Sequence, residues 1–227
     1  AIIINSPCNP SGAVIPRQEF ARILALAARH GLYVLTDECY ARLVYDGAPF
    51  SAAALEGAFE TVLVAGSLSK TYAMTGWRIG YALGPERIIQ AVLKLQSHST
   101  SNPTSVSQKA AVAALAGPQD PIMHMLMAYR QRRDFVVRRL RTIPGVACLE
   151  PRGSFYAYPN VAVALGRDGI GTTMELAERL LAEARVAVVP GEAFGTAQHI
   201  RISYAASLEE LERGLERLHQ FMDCLQA

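Results

Sequence analysis

The sequence predicts an α/β protein, a layer of mainly parallel strands with helices, followed by a smaller α+β subdomain. Three observations carry this. Short apolar runs at 1–5, 32–36 and 61–65 are separated by helix-patterned or irregular stretches. They have the near-continuous hydrophobicity of strands buried on both faces of a parallel sheet. Beyond about residue 118 the pattern changes to long helices interleaved with short strand-like runs, which points to helices on a small mixed sheet.

The first element is the strand AIIIN at 1–5. A helix follows at 17–30, with Phe20, Ile23, Leu24 and Ala27 at helical spacing and Gly31 as its stop. After the strands at 32–36 and 61–65, WRIGYAL at 77–83 reads as a further strand. Pro85 opens a helix, since its missing N–H is not needed in a first turn. Another helix covers 104–116 and ends at Gly117.

In the second part a long helix at 120–142 leads into strand-like runs at 146–150 and 154–161. A helix at 173–184 begins with the capping box Thr172-x-x-Glu175, and the last helix carries the same signature at Ser207 and Glu210. Strand-like runs at 186–189 and 199–205 lie between them. The domain division is placed at 1–118 and 119–227, with the long helix as the link.

Composition narrows the function classes. The 227 residues are 51% hydrophobic, enough for a sizeable core. A net charge of +2 argues for neither nucleic acid nor an acidic membrane surface. The arginines from Arg130 to Arg141 lie on a helix whose other face carries Leu126, Tyr129, Val136 and Leu140, so they read as a solvated face. No apolar run is long enough to span a bilayer. Cys8, Cys39, Cys148 and Cys224 show no CxxC pair and sit in contexts that read as buried, which predicts a reduced, cytoplasmic setting. The histidines show no metal-ligand spacing. The chain opens directly on a strand of central type, without Met or a polar lead-in, so the natural protein is expected to begin well upstream.

Ligands of open parallel sheets bind beyond the carboxyl ends of the strands. Three such ends carry polar residues: NSPCNPSG after the first strand, TDECY after the second, GSLSK after the third. With neighbouring strands in the usual order, Asn9, Asp37, Tyr40 and Lys70 converge. Lys70 does not fit a phosphate loop, because Ser69 stands where GxxxxGK[ST] needs glycine. A lysine that bonds an aldehyde fits better. Pyridoxal phosphate is the matching cofactor: Asp37 for its pyridine nitrogen, Tyr40 and Asn9 for its ring hydroxyl, Ser67 and Arg78 for its phosphate.

These motifs resemble those of the pyridoxal-phosphate aminotransferases of fold type I, class I/II, and within them the bacterial aspartate or aspartate/prephenate aminotransferases. NSPCNPSG, DECYARLVY and SLSKTYAMTGWRIGY match in series, and PRGSFYAYPNV, VAVVPGEAFG and HIRISYAAS follow in the family's order. The resemblance implies the fold type I large domain, here incomplete, plus the small C-terminal domain. It makes Lys70 the Schiff-base lysine, which also moves the proton between substrate and cofactor. It gives Asn9, Asp37, Tyr40, Ser67, Ser69 and Arg78 to the cofactor and Arg201 to the substrate α-carboxylate. It further implies an amino acid and a 2-oxo acid as substrates, aspartate or glutamate as favoured donor, a ping-pong reaction and a homodimer when complete.

The family's N-terminal portion, with the aromatic residue stacked on the cofactor and the residues that read the substrate side chain, has no counterpart here. This chain alone is therefore expected to turn over little or nothing. Plainer readings stand beside these. Asp37 can cap a turn and Asn9-Pro is a common turn former, while Trp77 and Phe155 read as packing residues. Arg78 and Arg201, if buried in strands, need anionic partners. The hydroxyl-rich QSHSTSNPTSVSQ segment is a loop, and the resemblance puts it at a dimer interface. Two other functions remain open on this sequence: a carbon–sulfur lyase on the same fold, and the cofactor-sensing domain of a transcription regulator.

Overall fold

The computed structural model describes residues 1–225 as two compact units. The first comprises 1–8 and 13–126, the second 9–12 and the chain from Met127 onward.

The first unit runs β1 (Ile2–Asn5), α1 (Arg17–Arg29), β2 (Val34–Asp37), β3 (Val62–Ser67), α2 (Leu68–Thr71), β4 (Gly80–Leu83), α3 (Glu86–Ser97) and α4 (Ser105–Ala116). Its sheet has the order β1-β2-β3-β4. The first three strands are parallel and β4 is antiparallel to β3. The parallel register sets Asn5 opposite Asp37 and Asp37 opposite Ala65. Phe20, Leu24 and Ala27 of α1, at the helical spacing read from the sequence, pack with Ile4, Val34, Val62 and Val64 into one core. A second cluster joins Leu68, Met74, Ile79 and Ala111.

α5 (Asp120–Leu140) is shared, its residues from Met127 belonging to the second unit. There follow β5 (Tyr156–Ala157), α6 (Thr173–Arg179), β6 (Val189–Pro190), β7 (Ile200–Ser203) and α7 (Leu208–Cys224). β5, β7 and β6 form a small sheet that is antiparallel throughout, where a mixed one was expected. The Thr172–Glu175 capping box is present in both directions, and the Ser207 hydroxyl accepts from the Glu210 N–H.

Several boundaries differ from the sequence expectation for backbone reasons. The strand expected over 77–83 begins only at Gly80, because Thr75–Trp77 is a 3-10 turn and Arg78 is left-handed with φ 50°. The run at 146–150 contributes one bridge, Ala147 to Asn160, and 154–161 only β5 and that bridge, since Ser154 also has positive φ. The helix at 173–184 changes to a π turn over Leu180–Ala184 and ends at a left-handed Arg185. Of the four cysteines only Cys148 is buried, and Trp77 is exposed rather than packed. Within the arginine face, Arg133 turns inward at 5% exposure, held by Asp134, Glu150 and the Pro151 carbonyl.

Gly66 makes the β3–β4 pairing close. A Cβ there would land in the Tyr81 ring opposite. Gly66→Ala should therefore destabilise the protein by about 1–3 kcal/mol in a denaturant titration. Adding Tyr81→Ala should recover most of that loss, because the clash needs both partners.

Burial pushes the Cys148 thiol up to about 11 from an ordinary 9.0, with Arg141 and a backbone bond from Tyr158 pulling the other way. A folded value above the unfolded one contributes stability that is complete below about pH 9 and is lost as pH rises toward 11. The midpoint of unfolding should fall across that window, and Cys148→Ala should flatten the fall.

Candidate active site

In the first unit the sheet register does the assembly. β2 ends at Asp37 and β3 at Ser67, and both chains turn there. Asp37 is half-buried, and its Oδ1 accepts the Cys39 N–H at 3.0 Å. The turn-capping role open to an aspartate at this position is thus filled by one oxygen of the two. Tyr40 follows in the same turn, buried at 4% exposure. Glu38 points to structure: its Oε1 takes the Ala52 N–H at 2.7 Å and the Ser51 hydroxyl at 3.1 Å, tying that loop to the end of β2.

Ser67 caps the short α2, its Oγ accepting the Ser69 N–H at 3.1 Å. Lys70 lies in α2, half-buried. The Cys39 thiol shows how close these groups are. Its pKa responds to the Ser67 side chain and to the charges of both Asp37 and Lys70. Burial, the largest effect, raises its pKa, and Asp37 adds to that while Ser67 and Lys70 lower it. Asp37, Ser67 and Lys70 therefore all lie close enough to bear on one thiol. A cavity of about 390 Å³ touches Ser67 and is walled by Glu38, Arg42, Tyr72 and Tyr81; neither Asp37 nor Lys70 is in its wall.

Arg78 corrects one inference. It is not buried in a strand; it is exposed, at the end of the 3-10 turn, and donates to the Thr75 carbonyl at 3.0 Å. Thr75 in turn donates to the Ser69 carbonyl at 3.0 Å, so the loop is fastened to α2 by side-chain bonds. A left-handed non-glycine residue carries strain of about 1–3 kcal/mol, held here by those bonds.

The second unit holds the remaining two residues. Arg201 on β7 donates through Nη1 to Asn9 Oδ1 at 2.7 Å. Its guanidinium lies over the Tyr156 ring at 4.4 Å and the Phe194 ring at 5.1 Å. Arg201 Nε is buried without a hydrogen-bond partner. A buried donor left unbonded is expensive, and a guanidinium fork so placed suits a planar carboxylate.

The description "Aminotransferase class I and II" matches residues 1–218. The chain belongs to the class I and II aminotransferases. It is 46% identical to an aspartate aminotransferase of Geobacillus stearothermophilus over 98% of its own length and 57% of that relative's. An aspartate/prephenate aminotransferase of Cereibacter sphaeroides is 41% identical over 96% and 57%. The structure of the Rhizobium meliloti aspartate aminotransferase superposes with a TM-score of 0.92 at 43% identity, covering 97% of this chain and 57% of the other. The chain thus spans somewhat over half the length of these relatives.

Aminotransferases of this family use pyridoxal phosphate. The donor set here fits that cofactor: an amine for its aldehyde, a carboxylate for its pyridine nitrogen, hydroxyls and a guanidinium for its phosphate. Three residues escaped the sequence reading. Cys39 was named only among the cysteines without a CxxC pair, not as a neighbour of Asp37 and Ser67. Tyr156 and Phe194, which sandwich Arg201, gave no signal beyond being aromatic.

The unpartnered Nε makes Arg201 a poor contributor to stability. Arg201→Met keeps apolar volume between the two rings, and should leave the thermal midpoint unchanged or raise it. The same variant should lose affinity for simple carboxylates, read by titration.

Proposed function

We propose that the full-length protein transfers an amino group between an amino acid and a 2-oxo acid with pyridoxal phosphate, and that Lys70 is its covalent attachment point. The observation that carries this is that the neighbouring parallel strands β2 and β3 end at Asp37 and Ser67, with Lys70 in the helix that follows, in a chain of the class I and II aminotransferases. When bound, the cofactor supplies an aldehyde that bonds amines and a ring that accepts the electron pair of the substrate's α-carbon.

The residues divide the rest. Lys70 Nζ would hold the aldehyde of the bound cofactor and, once freed by the substrate's amine, would serve as the base that moves the substrate's α-carbon proton. Asp37 keeps the pyridine nitrogen protonated, which deepens the electron sink. Tyr40 and Asn9 donate to the ring hydroxyl oxygen. Ser67, Ser69 and Arg78 hold the phosphate, Arg78 with a charge-assisted fork. Arg201 grips the substrate's α-carboxylate. Both half-reactions use one site, so the first product leaves before the second substrate enters, a ping-pong order.

Aspartate or glutamate is the proposed donor and prephenate a candidate acceptor, supported by the names of the relatives. A homodimer and a cytoplasmic setting belong to the same proposal. Residues 1–227 alone should turn over little or nothing, for they hold only part of the groups the resemblance requires.

The test is product analysis with aspartate and 2-oxoglutarate in the full-length protein, where only a transaminase yields glutamate. Borohydride reduction and peptide mapping should place the cofactor label on Lys70 alone. Lys70→Ala should remove the label and slow transfer by about 10²–10⁴-fold from the lost proton transfer alone. Labelling scattered over surface lysines, or no glutamate formed, would sink the reading.

A further inference from the structure

Phe194, one of the two rings against the Arg201 guanidinium, lies in the 3-10 turn Gly191–Phe194 that directly follows β6. β6 pairs with β7 so that Val189 stands opposite Arg201. The chain must therefore fold back before Phe194 can reach the guanidinium. The turn is closed within itself. The Thr196 N–H donates to the Gly191 carbonyl at 3.0 Å, and the Tyr158 hydroxyl shares a hydrogen bond with Thr196 Oγ1 at 2.6 Å. The Tyr158 ring then meets Phe194 edge-on at 5.9 Å. A Cβ on Gly191 would approach the His199 and Thr196 carbonyl oxygens to 2.5 Å, so the turn has little room.

Glu192 ties this turn to α6. The capping box of that helix serves the N–H groups of Thr172 and Glu175. The Thr173 N–H, a first-turn donor with no acceptor inside the helix, goes instead to Glu192 Oε1 at 2.9 Å. Thr173 has no exposed surface, and its hydroxyl works in both directions. It donates to Glu192 Oε2 and accepts the Gly191 N–H at 2.9 Å. Gly191 and Glu192 are thus both fastened to one buried threonine. The two bonds to the carboxylate are of the stronger, charge-assisted kind.

We propose that Glu192 is a positioning residue for the substrate's α-carboxylate: by holding its turn to Thr173 it keeps Phe194 against Arg201, and so keeps the guanidinium aimed. This rests on the assignment of Arg201 to that carboxylate made above. Glu192 acts through Phe194 and need not touch the substrate.

The test is steady-state kinetics of the full-length protein with aspartate and 2-oxoglutarate, beside a titration with pyridoxal 5′-phosphate. Glu192→Ala should raise the KM of both substrates about three- to ten-fold, the worth of one cation–π contact. The kcat and the cofactor affinity should stay within about two-fold, since only binding common to ground and transition states is lost. Glu192→Gln keeps an acceptor for the Thr173 N–H. It should give a smaller rise of the same kind, and carries the test where alanine does not fold. Thr173→Val should repeat the rise, whereas Thr173→Ser, which keeps the hydroxyl, should restore near-normal KM. In a Phe194→Ala background, Glu192→Ala should add nothing further. An unchanged KM, a parallel fall in kcat and cofactor affinity, or an undiminished effect in the Phe194→Ala background would overturn the proposal. If Arg201→Met itself left both KM values unchanged, Arg201 would not hold the carboxylate, and the proposal would fall with that assignment. The label at Lys70 would still report on the cofactor reading by itself.

Discussion

The parallel pairing of Val34–Asp37 with Val62–Ala65 is the constraint on which the placement of the first unit's candidate residues depends. Side chains alternate along a strand, so a slip of one residue would send every buried apolar group of β2 to the other face. Val34 and Thr36 are buried where Leu35 and Asp37 are only half-buried, and Val62 and Val64 answer them on β3. The core therefore rejects any other register. That rejection is also what brings Asp37, Cys39, Ser67 and Lys70 into one place. The packing of the core and the placement of these residues share the same register.

The site residues themselves add little to stability. Arg78 and Ala73 both take left-handed backbone without being glycine, in the loop that follows Lys70. Arg201 buries a donor without a partner. Each feature costs on the order of 1–3 kcal/mol if considered alone. Such features persist only where the surroundings over-determine them. Around Arg78 this is done by Thr75, bonded to Ser69, and around Arg201 by two aromatic rings and Asn9. A guanidinium already desolvated and oriented loses less on meeting a carboxylate than a flexible one would.

The sequence was most legible where one physical signal dominated. The apolar runs of β1, β2 and β3 and the spacing of Phe20, Leu24 and Ala27 follow from burial alone, and the strand bounds fall within two residues of the expected ones. Thr172 and Glu175 announced a helix start because a reciprocal cap needs those residue types at that spacing. Legibility failed where tertiary context decided. Nothing local in WRIGYAL foretells a left-handed Arg78, and the apolar residues around it suggested burial that did not occur. Arg133 sits in a run of arginines, and only its neighbours in space distinguish the inward one. In the candidate site, Lys70 and Asp37 were singled out because their types and strand-end positions are chemically demanding. Cys39, Tyr156 and Phe194 were not, because their residue types are ordinary and only their neighbours give them meaning.

The turn Asn9–Gly12 shows how two separated motifs become a single piece of structure. In sequence it directly follows β1, yet by its contacts it belongs to the second unit. The Gly12 carbonyl accepts the N–H groups of both Arg152 and Gly153 at 2.9 Å. Gly12 has φ 69°, and a Cβ there would approach Pro151 Cβ to 2.5 Å, so only glycine admits this contact. The NPSG turn is thus shaped by the PRGS segment some 140 residues later, and Asn9 is delivered to Arg201 as a consequence. An asparagine read from sequence as a ligand of the cofactor ring is, within the second unit, first a partner of the arginine.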